Sequence, residues 1–427
     1  MKEQSRVVRF IQPPRIGGVF LLLSFMVPLV CHSVFAQEHA ARQHWVVTWA
    51  AAPQPPRIPT PPGSQPDPSL DHRTLRMIVH TSLGGRQVRV QLSNVFGTAG
   101  LKIGAAHIAI REKDSAIVPG SDRVLLFNGK PPVTIPVGAL MVSDPITLAV
   151  PAQSDLAISI YVPGEVLALT THFLGLHTSF ISKEGDFTAR PAIADATTSL
   201  SLYWLASVDI LAPASARAIV TLGDSITDGT RSTPDENRSW PSVLAQRILS
   251  RASTPNTAVA NEGIAGNRIL NDTVGPEALA RFDRDVLGLS GVTALIVLEG
   301  INDIQVATRP VNPADPVNAD DVIGGLRQIV ARAHLHGIRV FGCTLTPYEG
   351  ALNYTEQGNA LREAVNQWIR TSGGFDSVID FEAAVRDPTD PKKILESYDS
   401  GDHLHPNDAE YKAMANTIDL SLFTPHF

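Results

Sequence analysis

The chain has 427 residues, 44% hydrophobic and 18% charged, with a formal net charge of −7. That balance excludes a disordered or collagen-like chain, and the absence of a Lys/Arg cluster excludes the basic footprint of a nucleic-acid binder. Two cysteines, Cys31 and Cys343, can form neither a disulfide scaffold nor a four-thiolate zinc site.

Residues 1–36 read as a secretory signal peptide. Lys2, Arg6, Arg9 and Arg15 precede an apolar run from Val19 to Val30, broken only by Ser24 and Pro28, and Val34-Phe35-Ala36 offers a cleavage site before Gln37. The competing reading is an uncleaved membrane anchor, which needs a span of roughly 20 apolar residues. Cys31 follows Val30 and not a small residue, which argues against a lipoprotein site. The expectation is a secreted or periplasmic protein with no stable membrane insertion after cleavage. Residues 37–72 follow as a polar lead-in rich in proline (Pro53, Pro55, Pro56, Pro59, Pro61, Pro62), with Trp45 and Trp49 pinning its start to a domain surface.

From about 73 to 165 period-two patterns dominate, within a β-rich N-terminal domain read as residues 73–210. Val88, Val90 and Leu92 alternate with polar neighbours, as do Leu101, Ile103, Ala105 and His107, and again Leu156, Ile158 and Ile160. Turn signals such as Gly84-Gly85 and Pro119-Gly120 punctuate them, which predicts an all-β sandwich or jelly-roll-like domain. Residues 211–216, beginning Leu211-Ala212-Pro213-Ala214-Ser215, read as an inter-domain linker.

From 217 to 427 apolar runs alternate with helix-period segments. Strands are predicted at Ala218–Leu222, Ala258–Ala260, Ala294–Leu298, Val340–Leu345 and Val378–Ile379. Helices are predicted around Trp240, Val243, Leu244 and Ile248, over Val322–Ala333 and Ala360–Trp368, and through Tyr411, Met414, Ile418 and Leu422 after a capping box of Asn407 and Glu410. Such alternation implies a parallel sheet covered by helices on both faces, with the site at the carboxyl ends of the strands. Cys343 lies in one of these strands and reads as a buried small hydrophobe.

Four segments fall at those ends. Gly223-Asp224-Ser225-Ile226-Thr227-Asp228-Gly229 follows the first strand and exposes a serine on a tight strand-to-helix turn. Asn261 to Arg268 carries Gly263 and Gly266, which let the backbone approach a ligand. Gly300-Ile301-Asn302-Asp303 follows the strand ending at Leu298, and Asp402-His403-Leu404-His405-Pro406 precedes the last helix.

In order and placement these segments resemble the SGNH (GDSL) hydrolase superfamily over residues 217–421. Ser225 stands in a GDSI version of GDSL, with Gly266, Asn302 in a GxND motif, and Asp402 and His405 in a DxxH motif; Ile226 replaces the usual leucine. The N-terminal region is similar, more loosely, to the β-rich extension of secreted bacterial members. The resemblance implies a three-layer α/β/α, flavodoxin-like catalytic domain and a serine ester hydrolase. A serine hydroxyl needs a base, and imidazole, which ordinarily titrates at about 6.5, suits that role near neutrality. His405 would be that base and Asp402 would fix its tautomer. The Ser225 N–H, the Gly266 N–H and the Asn302 amide would meet the oxyanion.

Other readings of single residues exist. Ser225 could only cap a helix, Gly266 only turn the chain and Asn302 only satisfy a loop. Asp224, Thr227 and Asp228 read as braces of the turn, Arg268 and Asp303 as packing residues, and Glu299 as a pocket border or a solvated strand end. His403 and His405 form an H-x-H pair that could bind zinc beside Asp402, yet no further ligand cluster accompanies it. No H-E-x-x-H, G-x-x-x-x-G-K-[ST] or G-x-S-x-G occurs. The expectation is therefore an esterase with no cofactor and no metal. Its substrates would be short-acyl esters of small molecules or of polysaccharides. A lysophospholipase or thioesterase is the alternative within the class, and a non-catalytic glycan-binding protein the alternative outside it.

Overall fold

The structure is a computed structural model that describes residues 12, 43–56, 69–166, 169–251, 254 and 256–424. The signal-peptide reading, apart from residue 12, and half of the proline-rich lead-in lie outside those residues. Among the described residues no helix is long and apolar enough to cross a membrane.

Two large antiparallel sheets and two two-stranded antiparallel pairs make up the β-rich part among the described residues. One contains Gln43–Ala50, Leu205–Pro213, Gly85–Ser93 and Ile146–Val150; the other is centred on Ser179–Glu184, Arg73–Thr81, Ser154–Tyr161 and Ala105–Lys113. Their inward residues share one apolar core, with Leu75, Met77, Val79, Ile108 and Ile158 from the second sheet and Val88, Val90, Leu92 and Val208 from the first. The alternation read from the sequence is the inward half of these strands.

Two expectations are corrected here. The start of the lead-in is a strand, Gln43–Ala50, which pairs antiparallel with Leu205–Pro213, Trp45 opposite Leu211. The first half of the supposed linker at 211–216, Leu211–Pro213, is therefore strand, and residues 214–216 are the turn that follows it. Pro213 ends that strand opposite Gln43, where a missing N–H is tolerated, and the Ala216 N–H donates to the Pro213 carbonyl to close a turn into the next strand. Val46, Val47 and Ala50 then pack with Ala218, Ala258 and Ala260 of the following sheet in one apolar cluster. Residues 43–427 form one compact unit.

The third sheet is parallel. Its strands are Arg217–Gly223, Thr257–Gly263, Val292–Leu298, Arg339–Cys343 and Ser377–Ile379. Along the sheet they run second, first, third, fourth and fifth. The continuous apolar runs are buried strand interiors, as Ala218 to Leu222 shows. Cys343 is buried, and burial pushes its thiol pKa well up. The strand order reverses between the first and third strands, so their carboxyl ends open the crevice where such sheets bind ligands.

Helix ends follow local chemistry with two departures from expectation. Asn318 and Asp321 form a complete capping box on Ala319–Leu335. On Asp408–Thr417 only half of the predicted box exists. Asn407 accepts from the Ala409 and Glu410 N–H groups, but Glu410 turns inward and is fully buried. Asn302 sits on a helix, Ile301–Thr308, and not in a loop.

Candidate active site

The Ser225 turn is built by its neighbours. Asp224 caps the short helix Ser225–Asp228, its carboxylate accepting the Ile226 N–H at 2.9 Å, and Gly229 ends that helix with φ +104°. The cap is thus Asp224, which leaves the Ser225 hydroxyl free of that duty. A Cβ on Gly223 would lie 2.2 Å from Thr227 Oγ1 and 2.4 Å from the Leu298 carbonyl, so only glycine lets the strand turn here. Burial, reinforced by the charges of Asp303 and Asp228, pushes the Asp224 pKa up to about 7 against the pull of the Ile226 N–H and Arg281.

His405 lies between Ser225 and Asp402. Its Nε2 is 2.9 Å from Ser225 Oγ and its Nδ1 is 2.9 Å from Asp402 Oδ2. Asp402 Oδ1 accepts the backbone N–H groups of Leu404 at 3.1 Å and His405 at 2.8 Å. Burial alone would raise the Asp402 pKa, but these bonds and the His405 ring hold it well below the ordinary carboxylate range. An ionised carboxylate only accepts, so Nδ1–H donates to it and Nε2 presents its lone pair to the serine hydroxyl. The loop is anchored by an Asp399–Pro406 bridge and by Asn407 Nδ2 donating to the Ser397 carbonyl. Tyr411 and Asp408 fasten the final helix to Thr230 and Thr233, beside the Ser225 turn. His403 faces elsewhere, its Nδ1 on Asp399, so the H-x-H pair does not point to one place.

The other two predicted residues follow the second and third strands. Gly266 has φ +80°. The segment before it is fastened to the Ser225 turn: the Ile264 N–H donates to the Gly223 carbonyl at 3.0 Å and the Ala265 N–H to Asp228 Oδ2 at 2.9 Å. Asn302 donates one amide proton to the Asn267 carbonyl at 2.9 Å, next to Gly266, and retains a second. Asp303 accepts the N–H groups of Ile269 and Leu270, and Arg268 is buried against Asp315.

Several participants were not legible in sequence. Arg281 spans the ends of the first two strands, donating to the Gly223 and Glu262 carbonyls. Glu299 does not solvate a strand end; it is buried 4.0 Å from Arg281, and burial raises its pKa well above the ordinary range. His172, in the β-rich part, reaches Asp228.

Glu410 offers a stability test. Neither carboxyl oxygen has a partner among the described residues, and burial, with Asp399 adding repulsion, pushes its pKa up to about 9. An acid raised in this way supports the fold fully below its unfolded value of 4.5, and that support is lost as pH rises toward the folded value. At pH 7 the loss is on the order of 3 kcal/mol. Glu410→Gln cannot ionise, so it is expected to melt above wild type by a margin that grows from pH 5 to pH 8. A margin that stays constant over that range would contradict the buried neutral acid.

The family model described as GDSL-like lipase/acylhydrolase matches residues 219–418. Solved structures similar to this chain include a protein described as a lipolytic protein of the G-D-S-L family from Desulfitobacterium hafniense DCB-2, at 22% identity and TM-score 0.37, covering 47% of this chain and 96% of that one. The acetylxylan esterase Axe2 of Geobacillus stearothermophilus is 19% identical with TM-score 0.37, over 47% of this chain and 91% of its own. An α/β hydrolase, LAE5, from the metagenome of Lake Arreo is 20% identical with TM-score 0.38, over 47% and 94%. A search of curated proteins returned no match. With the Ser225 turn at the head of the matched segment and the Asp402–His405 loop near its end, residues 219–418 form a domain of the GDSL-like lipase/acylhydrolase family.

Proposed function

We propose that the protein is a secreted serine esterase that hydrolyses carboxylic esters through an acyl-enzyme at Ser225, with short acyl groups carried on small alcohols or acetylated carbohydrates. The hydrogen-bonded series Ser225 Oγ, His405 and Asp402 carries the reading. His405 Nε2 takes the hydroxyl proton as Oγ attacks the ester carbonyl, and Asp402 steadies the imidazolium. The carbonyl oxygen gains charge between the Ser225 N–H, the Gly266 N–H and the second amide proton of Asn302, each worth about 3 to 4 kcal/mol in the transition state. His405 returns the proton to the leaving alcohol. Water, activated by the same ring, then releases the acid. The test is turnover of p-nitrophenyl acetate together with fluorophosphonate labelling; label on any residue other than Ser225 would move the assignment, and an inert folded protein would favour a glycan-binding role.

Acyl preference follows from burial. Each methylene taken from water is worth about 0.8 kcal/mol, but only where an open apolar trench receives it. The loop after Ser225 exposes Arg231, Thr233, Asp235 and Glu236, and residues 310–313 are exposed with two prolines and an asparagine. Ile301 and Leu404, next in chain to Asn302 and His405, belong to an apolar cluster in which Ile301, Tyr348 and Ala351 are buried against one another. Acetyl to butyryl esters are therefore expected to react faster than decanoyl esters. A kcat/KM series with its maximum at eight carbons or more would favour a lysophospholipase-like or thioesterase-like enzyme instead.

A further inference from the structure

One carboxylate joins the β-rich part to two of the segments assigned to catalysis. Asp228 closes the helix that begins at Ser225, and its side chain is only 3% exposed. Through Oδ2 it accepts the N–H of Ala265, the residue before Gly266. Through Oδ1 it meets Nε2 of His172 at 3.2 Å. His172 belongs to the short strand Thr171–His172, which pairs with Leu202–Tyr203. Its other ring nitrogen, Nδ1, is 3.0 Å from the Ala52 carbonyl.

The partners dictate the ring's protons. A carbonyl only accepts, so Nδ1 carries hydrogen. In a neutral ring Nε2 would then be a bare acceptor facing a carboxylate. Both contacts are satisfied when Nε2 carries hydrogen too, and the pair is an imidazolium beside an ionised Asp228. Burial works against that charge, yet Asp228, together with backbone hydrogen bonds to Ala52 and Leu174, outweighs it and raises the His172 pKa. A buried carboxylate requires such compensation, because a single backbone N–H does not replace the water it has lost.

We propose that His172 is a positioning residue for the oxyanion hole: it holds Asp228 oriented, and Asp228 in turn holds the Ala265–Gly266 backbone against the Ser225 turn. The inference rests on the esterase reading, in which the Gly266 N–H is a donor. It gives the β-rich part a role in catalysis, since the catalytic fold then borrows the charge that aligns its own donor. Without His172, Asp228 loses the partner on Oδ1 that orients it, its grip on the Ala265 N–H weakens, and the Gly266 N–H loses its aim. A misplacement on the order of 1 Å costs about 10²-fold in rate.

The experiment compares wild type, His172→Ala, Asp228→Asn and the double variant on p-nitrophenyl acetate, with thermal melting and the rate of fluorophosphonate labelling at Ser225. Each single variant is expected to lower kcat roughly 10- to 100-fold with KM within about twofold, since the ester is held equally but its oxyanion is not. Labelling is expected to go to completion more slowly. The double variant is expected to fall no further than the worse single one, because both act through one contact. Should His172→Ala fail to fold, Asp228→Asn, which keeps the side-chain volume, carries the test. Folded variants that retain kcat within twofold, change only KM, or lose activity multiplicatively would overturn the inference. Wild type that is not labelled at Ser225 would instead overturn the esterase reading itself.

Discussion

Ser225→Ala is expected to abolish ester hydrolysis without unfolding the protein. Removing the serine or histidine of such a unit costs about a millionfold in kcat in a serine hydrolase, whatever else remains. The turn does not depend on the hydroxyl. Asp224 supplies the cap, Gly229 the left-handed exit and Gly223 the close approach to Leu298, while Ser225 Oγ bonds to His405. The variant should therefore melt within a few degrees of wild type and lose fluorophosphonate labelling altogether. His405→Ala should fall to the same level, and the double variant no lower, because a nucleophile without its base is already idle. Retention of more than about one thousandth of wild-type kcat, after active-site titration excludes contaminating enzyme, would contradict the role of Ser225.

Asn302→Ala is expected to lower kcat by about 10²- to 10³-fold with little change in KM. The side chain has two donors. One is occupied by the Asn267 carbonyl, which fixes the amide plane next to Gly266; the second is free to meet developing charge. Loss of the first costs about 1 kcal/mol of stability, and loss of the second appears only when the oxygen becomes negative. Asn302→Asp sharpens the test, since an ionised isostere would set like charge against the oxyanion and should fall below the alanine variant. An effect confined to KM would mean that Asn302 holds the substrate and does not stabilise the transition state.

What the residues alone determined is local. A parallel strand buried on both faces must be apolar throughout, so Ala218–Leu222 and Ala294–Leu298 could be read directly. The chemistry of such sheets gathers at strand ends, and the order of Ser225, Gly266, Asn302, Asp402 and His405 along the chain resembles one family, which implies a set of roles for them. The tertiary structure alone decided what depends on distant partners. Gln43–Ala50 became a strand because Leu205–Pro213, far along the chain, offered it a hydrogen-bonding edge, and that same pairing drew the first half of a supposed linker, Leu211–Pro213, into the sheet. Glu410 could have returned to its cap, but the packing around the final helix took it inside, where its acid is held neutral. His172 carries no signal in sequence: it lies beyond the alternating strands, in a strand of only two residues, and its meaning arises only when the fold brings Asp228, 56 positions later, within 3.2 Å of a ring whose other nitrogen is already committed to a carbonyl. Periodicity reports which face of an element is buried, and motifs report which groups react; which charge stands beside which is settled by packing, because a buried ion is stable only where the rest of the chain supplies its partner.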